Sequence, residues 1–212
     1  LTLSWLDRLG VNYSHRYLEH FIVQGQRVRP AFEVTIPGDL SALAFPLAAA
    51  LVTQSEISIE YVDTQDVQGD KEVIFLLKRM GAYLEIDSSR QLFKVFSHGK
   101  LKGQKIDVND FIDAVPILAV IGCYAEGKTQ LLNASIARCK ESNRLACITA
   151  ELKKMGASIE ETADGLIVQQ SRLRGACVNS HGDHRLAMSL IVAALGAEGE
   201  TEVQGIECIN KS

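Results

Sequence analysis

The chain has 212 residues, a formal net charge of −4 and 47% hydrophobic residues, enough apolar material for one large domain or two small ones and too much for a disordered chain. With a mean hydropathy of +0.07 and charges between its apolar blocks, it has no uncharged apolar run near the roughly 18 residues that a membrane span needs. Its mild acidity argues against bulk nucleic-acid binding, which needs a basic field, but leaves room for a local cationic pocket.

In chain order, Leu3, Leu6 and Leu9 stand three apart, an amphipathic helical pattern closed by Leu9-Gly10-Val11. No basic region with a following apolar stretch is present, so no signal peptide is read. There is no initiating Met, and the chain reads as a piece cut from a longer protein. Pro30 breaks the pattern and FEVTI, residues 32–36, reads as a strand, which puts a boundary near Arg29-Pro30. Gly38-Asp39-Leu40-Ser41 is an acidic helix start. Pro46 lies a turn further on, so that helix begins late or bends.

A second amphipathic helix, IFLLKR, closes at Met80-Gly81-Ala82. After it Ala82, Leu84 and Ile86 alternate with Tyr83, Glu85 and Asp87, the period of a half-buried strand. Gly103, Gly127 and Gly199 mark turns. Asp113 precedes an apolar helix with Pro116 in its first turn, where N–H groups lack partners anyway. Asp113 is therefore either an N-cap or a carboxylate at a helix mouth that bonds a substrate hydroxyl.

Arg138-Cys139-Lys140-Glu141-Ser142-Asn143-Arg144 opens a helix with the stripe Leu145, Ile148, Leu152 and Met155. Lys140 and Arg144, at i,i+4, share a face. Two cations at the positive end of a helix dipole are badly placed, and a bound anion would reverse the sign. Glu141 either pairs with Arg144 at i,i+3 on a solvated face or moves protons. In His181-Gly182-Asp183-His184-Arg185, Asp183 is a natural N-cap, Arg185 repeats the cationic anomaly, and His184 is part of the cap or a general acid.

The chain repeats itself. Leu9-Gly10-Val11, Met80-Gly81-Ala82 and Met155-Gly156-Ala157 each close an amphipathic helix, with the glycines 71 and 75 residues apart. Three alanine-rich helices, each followed by a short strand, align at Leu47, Leu118 and Leu190, 71 and 72 residues apart. These helices are apolar nearly all round and are expected between layers. The sum is an α/β chain of repeated units with helices inside and sheets outside. Asp39, Asp113 and Asp183 start helices of successive repeats, which favours the N-cap role for all three and suggests that N-termini converge on one face. With Lys140, Arg144 and Arg185 they would make an anion site suited to phosphates and carboxylates. There is no Walker loop and no G-x-G-x-x-G loop, so ATP and NAD are not indicated. The five cysteines are odd in number and form no C-x-x-C, which reads as free thiols in a reducing compartment. The histidines make no zinc-ligand spacing with them.

These segments resemble the 5-enolpyruvylshikimate-3-phosphate synthase family. The family's G-D-x-S-S-A helix start is matched by GDLSAL from Gly38, and its Q-G-D turn by Gln68-Gly69-Asp70. Its D-x-N-x-x-x-D-A run is matched by Asp107, Asn109, Asp113 and Ala114, and its R-x-K-E-[ST]-D-R run by Arg138 to Arg144. Its D-H-R-M-A-M run is matched by Asp183 to Met188, and its ending by Asn210-Lys211-Ser212. The chain departs from these patterns at Ala42, where the family has Ser, at Asn143, where it has Asp, and at Ile136, often polar in the family.

The resemblance implies repeated βαβαββ units that form an inside-out α/β barrel. It puts residues 1–33 at the tail of a first domain and 34–212 in most of a second. It implies transfer of the enolpyruvyl group of phosphoenolpyruvate to the 5-hydroxyl of shikimate-3-phosphate, with release of phosphate and no metal or organic cofactor. Asp113 would contact shikimate hydroxyls and help deprotonate the nucleophile, and Lys140 would bind the shikimate moiety. Glu141 would take part in proton transfer, and Arg144, Arg185 and Lys211 would bind phosphoenolpyruvate. The expected partners are those two small molecules, without nucleic acid or membrane, in a cytoplasmic enzyme that is monomeric at full length. The rival readings are enolpyruvyl transfer to UDP-N-acetylglucosamine, a non-catalytic anion-binding domain, and RNA-end chemistry on a similar repeat fold.

Overall fold

The computed structural model describes residues 1–25, 31, 33–96 and 99–211. Helix α1 (Thr2–Arg8) and the antiparallel hairpin of β1 (Tyr13–Arg16) and β2 (His20–Val23) come first. The expected boundary at Arg29-Pro30 lies outside the described residues, as does Phe32. Residues 33–36 form no strand, which corrects the expectation for FEVTI. Alternation alone makes no ladder, and no described strand pairs with these residues.

Helix α2 (Leu40–Thr53) starts at once at Leu40 and carries Pro46 inside, so the late start is corrected. Then come β3 (Ile57–Ile59), a 3-10 turn at Gly69–Lys71, α3 (Glu72–Arg79), β4 (Leu84–Asp87) and β5 (Leu92–Val95). The middle unit is complete: β6 (Lys105–Asp107), α4 (Val115–Tyr124), β7 (Lys128–Leu132), α5 (Arg144–Lys154), β8 (Ile159–Glu161) and β9 (Leu166–Gln169). A third unit begins with β10 (Cys177–Asn179), α6 (His184–Leu195) and β11 (Glu202–Gln204), and a 3-10 turn over Ile206–Lys211 follows. The middle unit is thus βαβαββ, as the resemblance implies.

Sheet order follows the repeat. β3-β5-β4 is one sheet, β6-β7-β9-β8 another, and β10-β11 a parallel pair. β6 and β7 are also parallel, joined across α4 as β10 and β11 are across α6, because parallel neighbours need a long crossover. The helices α2, α4 and α6 pack on one another. Leu47, Leu118 and Leu190, the three equivalent positions, are all buried in that core. α4 is buried from Val115 to Cys123, which is why its sequence has no polar face. The sheets lie outside, and the strand after Gly81 alternates in burial as its sequence does. The described residues form no closed barrel.

Gly10, Gly81 and Gly156 all have positive φ, so each ends its helix in the left-handed conformation expected of it. Gly103 is different. A Cβ there would lie 2.4 Å from the Lys128 carbonyl oxygen. It marks a close crossing of two backbones rather than a turn. Gly127 and Gly199 do turn with positive φ.

Candidate active site

The N-terminal ends of α2, α5 and α6 meet around Asp113. At α2, Asp39 caps as expected: its Oδ1 accepts the N–H groups of Ser41 at 2.9 Å and Ala42 at 3.3 Å. Gln68 locks the same end, taking the Leu40 N–H at 2.8 Å and donating to the Gly38 carbonyl at 2.9 Å. Gly69 beside it lies against the Asp110 carbonyl, where a Cβ would come within 2.8 Å. The Gln68-Gly69-Asp70 turn therefore joins the α2 start to the 3-10 turn Asn109–Ala114, which carries Asp113. At α6, Asp183 caps by accepting the Arg185 N–H at 2.9 Å.

Asp113 is not a cap, which corrects the role that repetition favoured for it beside Asp39 and Asp183. Helix α4 has no side-chain cap, and the Asp113 carboxylate turns to cations instead. Its Oδ1 accepts from Arg144 Nη1 at 2.7 Å and lies 3.2 Å from Lys140 Nζ, and its Oδ2 lies 3.8 Å from Arg185 Nη2. Burial works to raise the Asp113 carboxyl, but Lys140, Arg185 and Arg144 outweigh it and hold the group below its ordinary range. Asp113 therefore stays ionised.

Arg144 is the first residue of α5, behind the cap Asn143. Its guanidinium grips Asp183 with Nε at 2.7 Å and Nη2 at 3.2 Å. Asp183 also accepts from Ser142 Oγ at 3.0 Å. The Arg144 side chain is 2% exposed and that of Asp183 0%. Burial tends to raise the Asp183 carboxyl, and Arg144, the Arg185 N–H and Ser142 hold it down. The anion that offsets this cation's place at a helix start is thus supplied from within the chain. Arg185 and Lys140 reach further out, with side chains 13% and 34% exposed. Arg185 Nη2 donates to Ser41 Oγ at 2.8 Å, which ties the first repeat to the third.

Two local expectations are corrected. Lys140 and Arg144 do not share a helical face, because Lys140 is extended backbone at the end of the 3-10 turn Ser135–Cys139. They meet through Asp113 instead. The expected Glu141–Arg144 pair is also replaced: Glu141 Oε2 lies 2.7 Å from His184 Nδ1, while Arg144 is taken by Asp113 and Asp183. His184, first residue of α6, is thereby Glu141's partner. Ile136 is exposed in the turn before Lys140. Lys211 closes the last 3-10 turn, and its side chain lies outside the described residues.

Asp70 is a site residue that motif reading named only as part of a turn. Burial pushes its carboxyl up against the pull of Arg185, and Asp113 and Asp39 add to the rise. Its Oδ1 is buried without a hydrogen-bond partner among the described residues. The signal for it was the Q-G-D turn itself, which sequence alone could not aim at Arg185. Glu141, Asp183 and His184 place ligand atoms within 4.8 Å of one another. They fit a metal ion poorly, because the Arg144 guanidinium already occupies both Asp183 oxygens with fixed positive charge. Clefts lined by Gln54, Tyr124 and Gly196 lie at the opposite, C-terminal ends of α2, α4 and α6, away from these groups.

An α/β repeat whose buried helices start beside alternating carboxylates and cations defines a class by its architecture: repeat proteins with charged groups gathered where helix N-termini converge, a setting whose chemistry suits anions. Comparison with known proteins narrows it. The family model for EPSP synthase (3-phosphoshikimate 1-carboxyvinyltransferase) matches residues 1–212, and the chain belongs to that family. It is 44% identical over 211 residues to the 3-phosphoshikimate 1-carboxyvinyltransferase of Ruminiclostridium cellulolyticum, covering 99% of this chain and 49% of that protein. The enzyme of that name from Methanocaldococcus jannaschii is 38% identical over 213 residues, 100% of this chain and 49% of its own length. A solved EPSP synthase from Acinetobacter baumannii superposes with a TM-score of 0.81 at 29% identity, over 98% of this chain and 50% of that one. The chain spans about half the length of the curated relatives it matches.

Proposed function

We propose that the protein carrying this chain transfers the enolpyruvyl group of phosphoenolpyruvate to the 5-hydroxyl of shikimate-3-phosphate and releases phosphate, a step toward chorismate and the aromatic amino acids. The observation that carries this reading is the hub at Asp113, one carboxylate faced by Lys140, Arg144 and Arg185, beside the Glu141–His184 pair.

The chemistry needs three things. A hydroxyl must lose its proton as its oxygen attacks C2 of the enol. The C3 methylene must gain a proton, and phosphate must then leave as a methyl proton is lost and the vinyl group returns. Acid and base must therefore stand together. Asp113, held ionised by its cations, can accept a hydroxyl proton or orient the hydroxyl. Glu141, bonded to His184, can give a proton to C3 and take one back. Both substrates are polyanions, and fixed cations stabilise the charge on the departing phosphate. In this reading Lys140 and Arg185 meet the substrates, and Lys211 joins them by its place in the family motif. Arg144 binds phosphoenolpyruvate from the buried side and also sets the positions of Asp113 and Asp183. No organic cofactor or metal is needed by this route.

The domain reading goes with it: residues 1–33 as the tail of one enolpyruvyl transferase domain and 34–212 as most of a second. We read the full-length protein as a cytoplasmic monomer. Five free thiols fit a reducing compartment, and no described helix is long and apolar enough to cross a membrane. The test is inorganic phosphate release from phosphoenolpyruvate plus shikimate-3-phosphate by the full-length protein, with Arg185→Ala as control. Release that collapses at least about a hundredfold in the control, the scale of losing a transition-state charge contact, supports the reading. No release by the wild type overturns it, and UDP-N-acetylglucosamine is then the acceptor to try.

A further inference from the structure

Glu151 lies seven residues beyond Arg144, two turns along the same face of α5. It is a buried carboxylate, 2% exposed, and two of its three partners come from outside its own helix. Its Oε2 accepts from Lys154 Nζ at 2.7 Å and from the Asn179 backbone N–H at 2.9 Å, and its Oε1 lies 2.9 Å from His181 Nε2. Asn179 ends β10, and residues 180–182 run from it directly into Asp183.

That link is held in a costly shape. His181 has φ 54 and Gly182 φ 71, and a non-glycine residue in the left-handed region persists only where its surroundings fix it. Asn179 Oδ1 accepts the His181 N–H at 2.7 Å, and Ser180 Oγ donates to the Gly205 carbonyl at 2.7 Å. These contacts shape the link but do not tie it to α5. Glu151 ties its beginning, and Arg144 ties its end through Asp183. One helix thus clamps residues 179–183 at two points, and the residues that leave the clamp are His184 and Arg185.

We propose that Glu151 is a positioning residue: by fixing the link before α6 it sets where Arg185 and His184 stand toward phosphoenolpyruvate, and so tunes the affinity for that substrate and not for the other. This rests on the functional reading above. The two substrates separate because Lys140 and Asp113, expected on the shikimate side, are carried by other elements that Glu151 does not hold.

The test uses the full-length protein with Glu151→Leu and Glu151→Gln. Leucine fills the space but leaves the Asn179 N–H without an acceptor. Glutamine keeps one oxygen for Lys154 and Asn179, and its amide can donate to His181 Nε2 when the ring carries its hydrogen on Nδ1. Hydrogen exchange at the Asn179 amide should quicken at least about tenfold in Glu151→Leu, as expected for a lost hydrogen bond. The KM for phosphoenolpyruvate should rise about ten- to a hundredfold, the scale of a small misplacement of binding groups, while the KM for shikimate-3-phosphate stays put. Glu151→Gln should restore both. Equal rises in the two KM values, unchanged Asn179 exchange, or no recovery in Glu151→Gln would each overturn the proposal. Should Glu151→Leu not fold, His181→Ala, which removes one contact of three, must still raise only the KM for phosphoenolpyruvate. If the wild type releases no phosphate, the functional reading fails on its own, and Asn179 exchange alone then decides whether the clamp exists.

Discussion

Arg144 and Asp183 are two opposite charges almost wholly removed from water, joined by two hydrogen bonds. Breaking such a pair by removing one partner leaves an uncompensated buried charge and costs about 3–5 kcal/mol. Asp183→Ala should therefore lower the stability of the chain by that order in denaturant unfolding. A loss within error would mean that water or a rearranged Asp113 takes over. Acid acts on the same residues. The folded-state pKa values of Asp183, Asp113 and Glu151 all lie below their ordinary values of 3.8, 3.8 and 4.5. Such groups contribute stability that is present above those ordinary values and lost as pH falls through the depressed folded ones. Asp70 is shifted the other way, so its ionisation opposes folding as pH rises past 3.8. Wild-type stability should thus fall steeply below about pH 4. Asp183→Asn should be less stable at pH 7 and show a shallower acid slope, which thermal melts at stepped pH would reveal.

At the scale of elements, the three central helices set the architecture. Leu118 in α4 is 1% exposed, and Leu118→Ala should cost about 2–5 kcal/mol by cavity formation. The same change at exposed Leu195, at the end of α6, should cost well under about 1 kcal/mol. Gly103 makes a separate test. The Cβ of Gly103→Ala would meet rigid backbone at Lys128, so this substitution should loosen the β6–β7 pair and speed amide exchange along Lys128–Leu132. Unchanged exchange would show that the crossing can open without cost. The repeat made much of this legible. The 71-residue period predicts which helices are equivalent, and the glycine after each amphipathic helix predicts how it ends. The strand expected at 32–36 was not legible in the same way, since alternation states a preference and pairing requires a neighbour.

For the whole molecule, the decisive fact is that the chain spans about half of its relatives. Lys140, Glu141, Arg185 and Asp113 lie on a face made by one set of repeats, and both proposed substrates carry more charge than these residues can meet alone. The isolated 212-residue chain should therefore release no phosphate from phosphoenolpyruvate and shikimate-3-phosphate under conditions where the full-length protein does. Turnover by the isolated chain at a comparable rate would show that the site is complete within these repeats.

Sequence alone determined the repeat, the buried alanine-rich helices, the caps at Asp39 and Asp183, and the family. These depend on the order of residues along one element, or on motifs a few residues long, and survive without knowledge of what packs where. Only the tertiary structure decided the pairings. Asp113 and Asp183 each precede an apolar helix, yet one gathers cations and the other caps. Glu141 chose His184, 43 residues away, over Arg144, three residues away. Glu151 stood unmarked on an ordinary amphipathic helix until the link before α6 was seen against it. The strength of a charge pair depends on distance and burial, and both are set by residues far apart in the chain.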